Sequence, residues 1–159
     1  MLLGFGGLTA AIECLRQGHS PVIYESFPSL KVLGDIISFG PNGGRIFHRW
    51  SNGEVTKKMR EVSIDLTNYG FKIHKYDTGE VVAHQKSPPK DESAPVFNGH
   101  RGELHEIVFE YALSLGIEIK LGKKAVAYFE DEKEAGIELE DGERVGERLI
   151  NLRMHTKTQ

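Results

Sequence analysis

Apolar residues near the start of the chain recur with the period of a helix. They lie three and four residues apart and form one stripe along one helical face. The members of this stripe are Leu8, Ala11, Ile12 and Leu15. The pattern predicts a helix over about Gly7–Gln17, which Gly18 ends. The following run, Pro21–Glu25, is short, β-branched and aromatic, which is typical of a buried parallel strand.

The region after this strand is irregular because glycine and proline are frequent in it. Residues 27–44 predict a long connection that contains one short strand, Ile36–Phe39. Two helices are expected next, near Asn42–Trp50 and near Glu54–Val62. A simple alternation of helices and strands therefore does not continue here.

A tight turn is indicated further along the chain by Asp77-Thr78-Gly79. Strand-like runs flank it at residues 69–76 and 80–84, so we expect a β-hairpin. Residues 86–98 contain three prolines among polar residues, and we expect a loop there.

The last third of the chain again shows regular periods. A helical stripe predicts a helix over Arg101–Leu115, ended by Gly116. Alternating residues then predict strands, with a turn at the acidic residues 130–134 and another at Asp141-Gly142. The expected strands are Ile117–Leu121, Ala125–Phe129 and Gly136–Leu139. The whole pattern is of the α/β class.

Composition narrows the choice of partners. The 159 residues fit one domain, and a net charge of −3 gives no electrostatic reason to expect nucleic acid or an anionic membrane surface. A single cysteine, Cys14, excludes an internal disulfide. No apolar run is long enough to span a membrane. We therefore expect a cytoplasmic protein with a small-molecule partner and no membrane partner.

The most informative segment is Gly4-Phe5-Gly6-Gly7, which directly precedes the first predicted helix. Glycines let a backbone approach a pyrophosphate, and Glu25, about 20 residues later at a strand end, can accept from ribose hydroxyls. This order predicts binding of FAD or NAD. Only three residues precede Gly4, so we expect the chain to begin inside its own dinucleotide-binding motif.

Several segments taken together resemble the FAD-binding part of the single-component flavoprotein aromatic-ring monooxygenases, most closely the fungal salicylate hydroxylase-like branch. The segments are Gly4–Ile12, Val22–Glu25, Gly34–Asn42 and His100–Leu104. The resemblance implies an incomplete, doubly wound Rossmann-like FAD-binding domain over residues 1–150, with a β-hairpin or β-meander insertion. It also implies truncation at both ends, with residues 151–159 as a divergent polar tail.

The resemblance also implies cofactor-binding roles for particular residues. Gly4, Gly6 and Gly7 correspond to the backbone that meets the FAD pyrophosphate at a helix N-terminus. Leu2 stands where the family has its first glycine. Glu25 corresponds to the acid that binds the ribose.

A second group of matches lies further along the chain. Gly34 and Asp35 correspond to the small-residue segment against the flavin, although aspartate is unusual there. Arg101 corresponds to an arginine that contacts the cofactor, which its forked guanidinium suits. Val126, or its neighbour Ala125, corresponds to a strand whose backbone contacts adenine.

In the intact family, NAD(P)H reduces the FAD and the enzyme then hydroxylates a small aromatic, phenolic substrate. No residue that orients the aromatic ring can be located in this sequence, so we expect these 159 residues to lack hydroxylase activity alone. Two alternatives remain open. One is a non-catalytic FAD-binding remnant or subunit, whose exposed sheet an oligomeric partner covers. The other is half of an NAD-dependent dehydrogenase.

Histidines are scattered along the chain at positions 74, 84, 100 and 105. None shows the helical pairing or the neighbouring cysteine and carboxylate ligands that zinc sites use. The sequence therefore predicts no metal site.

Overall fold

The computed structural model describes residues 3–30, 34–66, 69–87, 89–132 and 134–148. The chain divides into two compact units. The first unit combines Met1–Leu30 with Ile117–Gln159, and the second unit is Lys31–Gly116. The expected tail over residues 151–159 lies outside the described residues, and so does Leu2. The domain predicted over residues 1–150 stays a prediction.

Helices and strands alternate irregularly along the chain. In chain order they are α1 (Phe5–Arg16), β1 (Val22–Tyr24), β2 (Ile36–Phe39), α2 (Pro41–His48), a 3-10 turn (Trp50–Gly53), α3 (Glu54–Glu61), β3 (Phe71–His74), β4 (Val81–Gln85), β5 (Phe97–His100), α4 (Arg101–Ser114), β6 (Glu118–Lys120), β7 (Ala125–Glu130), β8 (Glu134–Leu139) and β9 (Arg144–Arg148). The predicted α/β class, with a hairpin and a meander, is confirmed.

In the first unit, α1 buries the apolar stripe that its sequence predicts. Leu8, Ala11 and Ile12 are fully buried. The helix begins at Phe5, two residues before the predicted start, because Gly4 in extended conformation is already its N-cap. Gly18 follows the helix with φ +87°, a left-handed conformation that glycine adopts without steric cost.

The sheets of the first unit are small. Strand β1 pairs in parallel with β6, with fully buried Ile23 opposite Ile119. Strands β7, β8 and β9 form an antiparallel sheet in that order. The predicted strands are confirmed, whereas nothing in the sequence pattern indicated β9.

In the second unit, β2 pairs antiparallel with β5, and Phe39 lies opposite Phe97. Strand β2 is confirmed. The prediction that residues 86–98 are all loop is wrong at its end, because β5 begins at Phe97. Asn98-Gly99 has low strand propensity, but Phe97 is fully buried, and pairing with β2 outweighs local preference.

The core of the second unit is aromatic. Phe47 contacts Phe39, Trp50 and Phe97 edge to face, with ring centroids 5.1, 5.1 and 6.0 Å apart. Trp50 stacks on Tyr111 of α4 at 5.5 Å. These contacts join α2, β2, β5 and α4 around one cluster.

The predicted hairpin is confirmed. Strands β3 and β4 pair antiparallel, with Phe71 opposite Gln85, and every residue of both strands is exposed. Gly79 in the turn has φ +72°, which explains the glycine there.

Adjacent glycines in α2 offer a matched test of the packing. A methyl group at Gly44 would overlap the carbonyl oxygen of Pro95, whereas at Gly43 it would meet Phe39 Cδ1 at an ordinary 3.5 Å. We expect Gly44→Ala to lower the free energy of unfolding by about 3 kcal/mol. Gly43→Ala should raise it by about 0.5–1 kcal/mol, since alanine favours a helix. Urea unfolding of both variants measures this, and equal effects would contradict the close packing of α2 on Pro95.

Candidate dinucleotide-binding residues

The start of α1 is arranged to accept an anion. No side chain caps the helix, and its first turn carries no acidic residue. The carbonyl of Gly4 accepts from the N–H of Leu8 at 3.0 Å, which fixes the helical geometry of the first turn. A helix N-terminus presents backbone N–H groups and the positive end of the helix dipole, and both favour phosphate.

Gly4 and Gly6 at this terminus are not crowded by the described residues. Apart from the adjoining backbone, a Cβ added at either position would meet no atom of those residues within 4 Å, and neither residue has a left-handed φ. Both residues are exposed. Their lack of a side chain therefore keeps open the space outside the helix end, as close approach of a pyrophosphate requires.

The carboxylate of Glu25 lies where the first strand ends, and the residue is only 8% exposed. Its Oε2 accepts from the backbone N–H of Leu3 at 3.0 Å. Its Oε1 accepts from the N–H of Phe27 at 3.0 Å and from the hydroxyl of Ser26 at 2.9 Å. Because Leu3 directly precedes Gly4, the structure brings the acid and the glycine segment together.

These contacts determine the charge of Glu25. Burial raises the pKa of the carboxyl, but hydrogen bonds from the backbone N–H groups of Phe27 and Leu3 and from Ser26 outweigh it, so the pKa falls below its usual 4.5. Glu25 is therefore ionised at neutral pH. Oε2 accepts one hydrogen bond, from the N–H of Leu3, and a carboxylate oxygen has two lone pairs that can accept.

Within the second unit, the structure brings Gly34, Asp35 and Arg101 together. The carbonyl of Asp35 accepts from the N–H of Arg101 at 2.8 Å. A Cβ at Gly34 would lie 2.7 Å from Arg101 Nε, and Gly34 has φ +121°. The backbone conformation requires the glycine, and an added Cβ would also force the exposed side chain of Arg101 to move. Arg101 is exposed at the start of α4, where the helix dipole disfavours a cation unless an anion is near.

Val126 occupies an irregular position in β7. The pairing passes from Ala125 opposite Leu139 to Ala127 opposite Glu138, so Val126 is a bulge residue without a partner position in β8. Among the described residues, β7 is also an edge strand of its sheet. Bulges free a backbone from the ladder and occur beside binding sites.

Two features of these residues have no signal in the sequence. The donors to Glu25 are mostly backbone N–H groups, which every residue other than proline carries. The bulge at Val126 depends on register with β8. Glu25 and the glycines could be recognised from spacing alone, but their direct link through Leu3 could not.

Over the described ranges of the chain, no three His, Cys, Asp or Glu residues come together in a group that could hold a metal ion. Across the same ranges, no helix combines the length and hydropathy needed to cross a membrane.

Comparison with known proteins shows which proteins the chain is similar to. No family model matches the sequence. It is 36% identical over 147 residues to the asperlicin C monooxygenase of Petromyces alliaceus, covering 90% of this chain and 30% of that protein. It is also 36% identical over 159 residues to the FAD-dependent monooxygenase nodY2 of Hypoxylon pulicicidum, covering 89% of this chain and 33% of that protein.

A solved structure shares the fold. The crystal structure of CtdE in complex with FAD and substrate 4 matches 91% of this chain and 34% of its own, with 34% identity and a TM-score of 0.78. Over about nine-tenths of its length the chain is similar in sequence and fold to FAD-dependent monooxygenases, and the family resemblance is confirmed. The chain spans about a third of the length of the relatives it matches.

The hydrogen bonds to Glu25 predict a pH-dependent contribution to stability. We expect Glu25→Gln to lower the free energy of unfolding by about 1–3 kcal/mol at neutral pH, because charge-assisted bonds become neutral ones. The pKa is lower in the folded chain, so this contribution is complete above pH 4.5 and is lost as the pH falls through the folded value. Urea unfolding at a series of pH values measures the difference between the two proteins.

The control is Glu106→Gln, which changes an exposed glutamate on α4. It should alter stability by less than about 0.5 kcal/mol at neutral pH. A Glu25→Gln difference that stays constant from neutral pH to well below pH 4.5 would contradict the role of the ionised carboxylate.

Proposed function

We propose that this chain supplies the FAD-binding segment of a flavin-dependent monooxygenase. The observation that carries the proposal is the hydrogen bond between Leu3 and Glu25, which joins the glycine start of α1 to the acid at the end of β1. Its support is the relationship to FAD-dependent monooxygenases over about nine-tenths of the chain.

The first unit is proposed to hold the ADP part of FAD. Gly4, Gly6 and Gly7 leave the helix end open to the pyrophosphate, while the dipole of α1 favours its charge. The Glu25 carboxylate accepts from ribose hydroxyls with its remaining capacity, and its negative charge disfavours a 2′-phosphate. The backbone at Val126, which the bulge frees from the sheet, contacts adenine.

For the second unit we propose, from the family resemblance, that Gly34, Asp35 and Arg101 contact FAD. Because Gly34 has no side chain, the guanidinium of Arg101 can lie against it. In this position the paired N–H donors of the guanidinium would meet the cofactor. Asp35 contributes its carbonyl to hold the start of α4 through the N–H of Arg101. A contact between the Asp35 side chain and the flavin is proposed from the family resemblance alone.

The whole-protein reaction is proposed from the family. When bound, FAD would supply the redox chemistry, with NAD(P)H as reductant and oxygen as co-substrate. The substrate class proposed from the resemblance is a small aromatic, phenolic compound. The residues of this chain bind and orient the cofactor, and none of them is assigned to the substrate ring.

A non-catalytic FAD-binding role is the second candidate. It stays open because none of the residues in this chain is assigned to the substrate ring. In that case the residues proposed for FAD retain their roles and hydroxylation is absent.

Gly6→Ala separates cofactor binding from folding. Apart from the adjoining backbone, no atom of the described residues lies within 4 Å of the added methyl group, so the free energy of unfolding should stay the same or rise by about 0.5 kcal/mol. The methyl group would enter the space proposed for the pyrophosphate, and we expect FAD affinity to fall about tenfold or more. Quenching of flavin fluorescence on titration measures the dissociation constant, and urea unfolding measures stability.

Gly43→Ala is the matched control, because it adds the same methyl group to helix α2, outside the residues proposed for FAD. It should leave FAD affinity unchanged. Equal FAD affinity of the Gly6→Ala variant and the unaltered chain would refute the pyrophosphate site, and no FAD binding by the unaltered chain would refute the proposed function.

Activity of the 159-residue chain is expected to be absent. Purified chain with added FAD should not oxidise NADH or NADPH faster when salicylate is supplied, because no residue here is assigned to the aromatic ring. Absorbance at the nicotinamide band follows the reaction. Salicylate-stimulated oxidation would show that the segment is catalytically sufficient and would exclude the non-catalytic alternative.

A further inference from the structure

We propose that a pocket in the second unit binds a small, neutral ligand that carries both an aromatic ring and a carboxamide. The pocket has a volume of about 330 Å³, at the lower end of the range for small-molecule sites. Its walls come from the end of α3, residues 63–66, the hairpin of β3 and β4, and the segment that leads into β5. Within the described chain, none of the residues proposed for FAD lines it.

Exposed apolar side chains converge on this pocket. Ile64, Phe71 and Val96 all line it, with exposed fractions of 57%, 54% and 39%. Single exposed apolar side chains need no explanation, but several around one cavity indicate a surface that a ligand can cover. Phe71 provides a ring against which an aromatic ligand can stack or pack edge to face.

The polar group that selects a ligand is the side chain of Asn98 on β5. The residue lines the pocket and is only 8% exposed. Its backbone carbonyl accepts from the N–H of Ile64 at 2.6 Å, but its side-chain amide has no hydrogen-bond partner in the described part of the chain. The amide atoms are not closed off from solvent, since the buried side-chain atoms without a partner in the described residues are His48 Nδ1 and Thr56 Oγ1. The amide can therefore exchange hydrogen bonds to water for hydrogen bonds to a ligand in the pocket.

The neighbouring hydroxyl groups are already engaged. Ser63 donates to the carbonyl of Met59 at 2.6 Å, and Ser87 donates to the carbonyl of Leu66 at 2.7 Å. Asn98 presents a donor and an acceptor side by side, and a carboxamide presents the complementary pair. Two hydrogen bonds between the amides would therefore orient the ligand.

Charges around the pocket balance, which favours a neutral ligand. Arg60 pairs with Glu92, and Lys90 pairs with Asp65 at 3.0 Å. The charged lining residues are Arg60, Lys86 and Lys90 on the cationic side and Asp65, Asp91 and Glu92 on the anionic side. Positive and negative charges are equal in number around the pocket. A charged ligand would therefore lose its hydration without gaining an excess of opposite charge.

Benzamide is the probe, because it combines the two features in one small molecule. Titrated into the ¹⁵N-labelled 159-residue chain, it should shift the backbone amide resonances of Ile64, Phe71 and Asn98 saturably, with a Kd on the order of 1 mM. Benzoate has the same shape but a charge and no donor, and should bind about tenfold more weakly. Absence of saturable shifts at these residues, or equal binding of benzoate, would overturn the proposal.

Two variants locate the ligand. Val96→Arg places a long cation at the exposed wall and should abolish the shifts, whereas Asn98→Leu should weaken binding about tenfold. Gln17→Leu, at an exposed position of the first unit, is the control and should bind benzamide unchanged. Urea unfolding verifies each fold. If Asn98→Leu does not fold, Val96→Arg decides, and unchanged binding by a folded Val96→Arg variant refutes the site.

Added FAD distinguishes this pocket from the cofactor site. Benzamide binding is measured first without FAD, so its outcome does not depend on the proposed cofactor role. Saturating FAD should leave the Kd of benzamide unchanged. Competition between the two ligands would overturn the proposal, since it would place the cofactor in this pocket.

Discussion

The first unit depends on one buried carboxylate that accepts backbone hydrogen bonds from both sides of a chain reversal. Glu25 ties Leu3 before α1 to Phe27 after β1. Burial alone would favour the neutral acid, but the donors reverse that preference and keep the charge in place. The same group is therefore both a structural acceptor and a fixed negative charge beside the helix end. A substitution of Glu25 therefore changes both stability and the proposed FAD site. A substitution of Gly6 changes the proposed site with little effect on stability, so it tests FAD binding separately.

Glycine is found at different positions of this chain for different physical reasons. At Gly34 the backbone conformation requires glycine, with φ +121°, and at Gly44 a side chain would meet the carbonyl oxygen of Pro95. At Gly4 and Gly6 the described residues leave space for a side chain, so packing among them gives no reason for glycine. A helix start costs stability when it carries glycine in place of a better helix former. The proposed approach of the FAD pyrophosphate to the backbone would account for that cost.

Elements could be predicted from the sequence where the spacing of apolar residues and the residues of tight turns determine the structure. The stripe of α1, the helix α4 and the hairpin around Gly79 follow from residues close together in the chain. Prediction failed where pairing is non-local. Strand β5 forms because Phe97 meets Phe39 across almost sixty residues of chain, and the bulge at Val126 exists only in register with β8. The pocket beside Asn98 is likewise assembled from distant segments, so no motif indicates it.

Cofactor binding and substrate chemistry place different demands on a chain. The residues proposed for the ADP part of FAD lie mostly in the first twenty-five positions, and one hydrogen bond completes their arrangement. Binding of this kind needs backbone groups, a helix dipole and one acid, all of which are local. Hydroxylation also needs side chains that orient a substrate against the flavin. Such side chains come from the segments that surround the substrate ring, wherever these lie in the sequence. FAD binding and hydroxylation therefore depend on different groups and must be measured as separate properties.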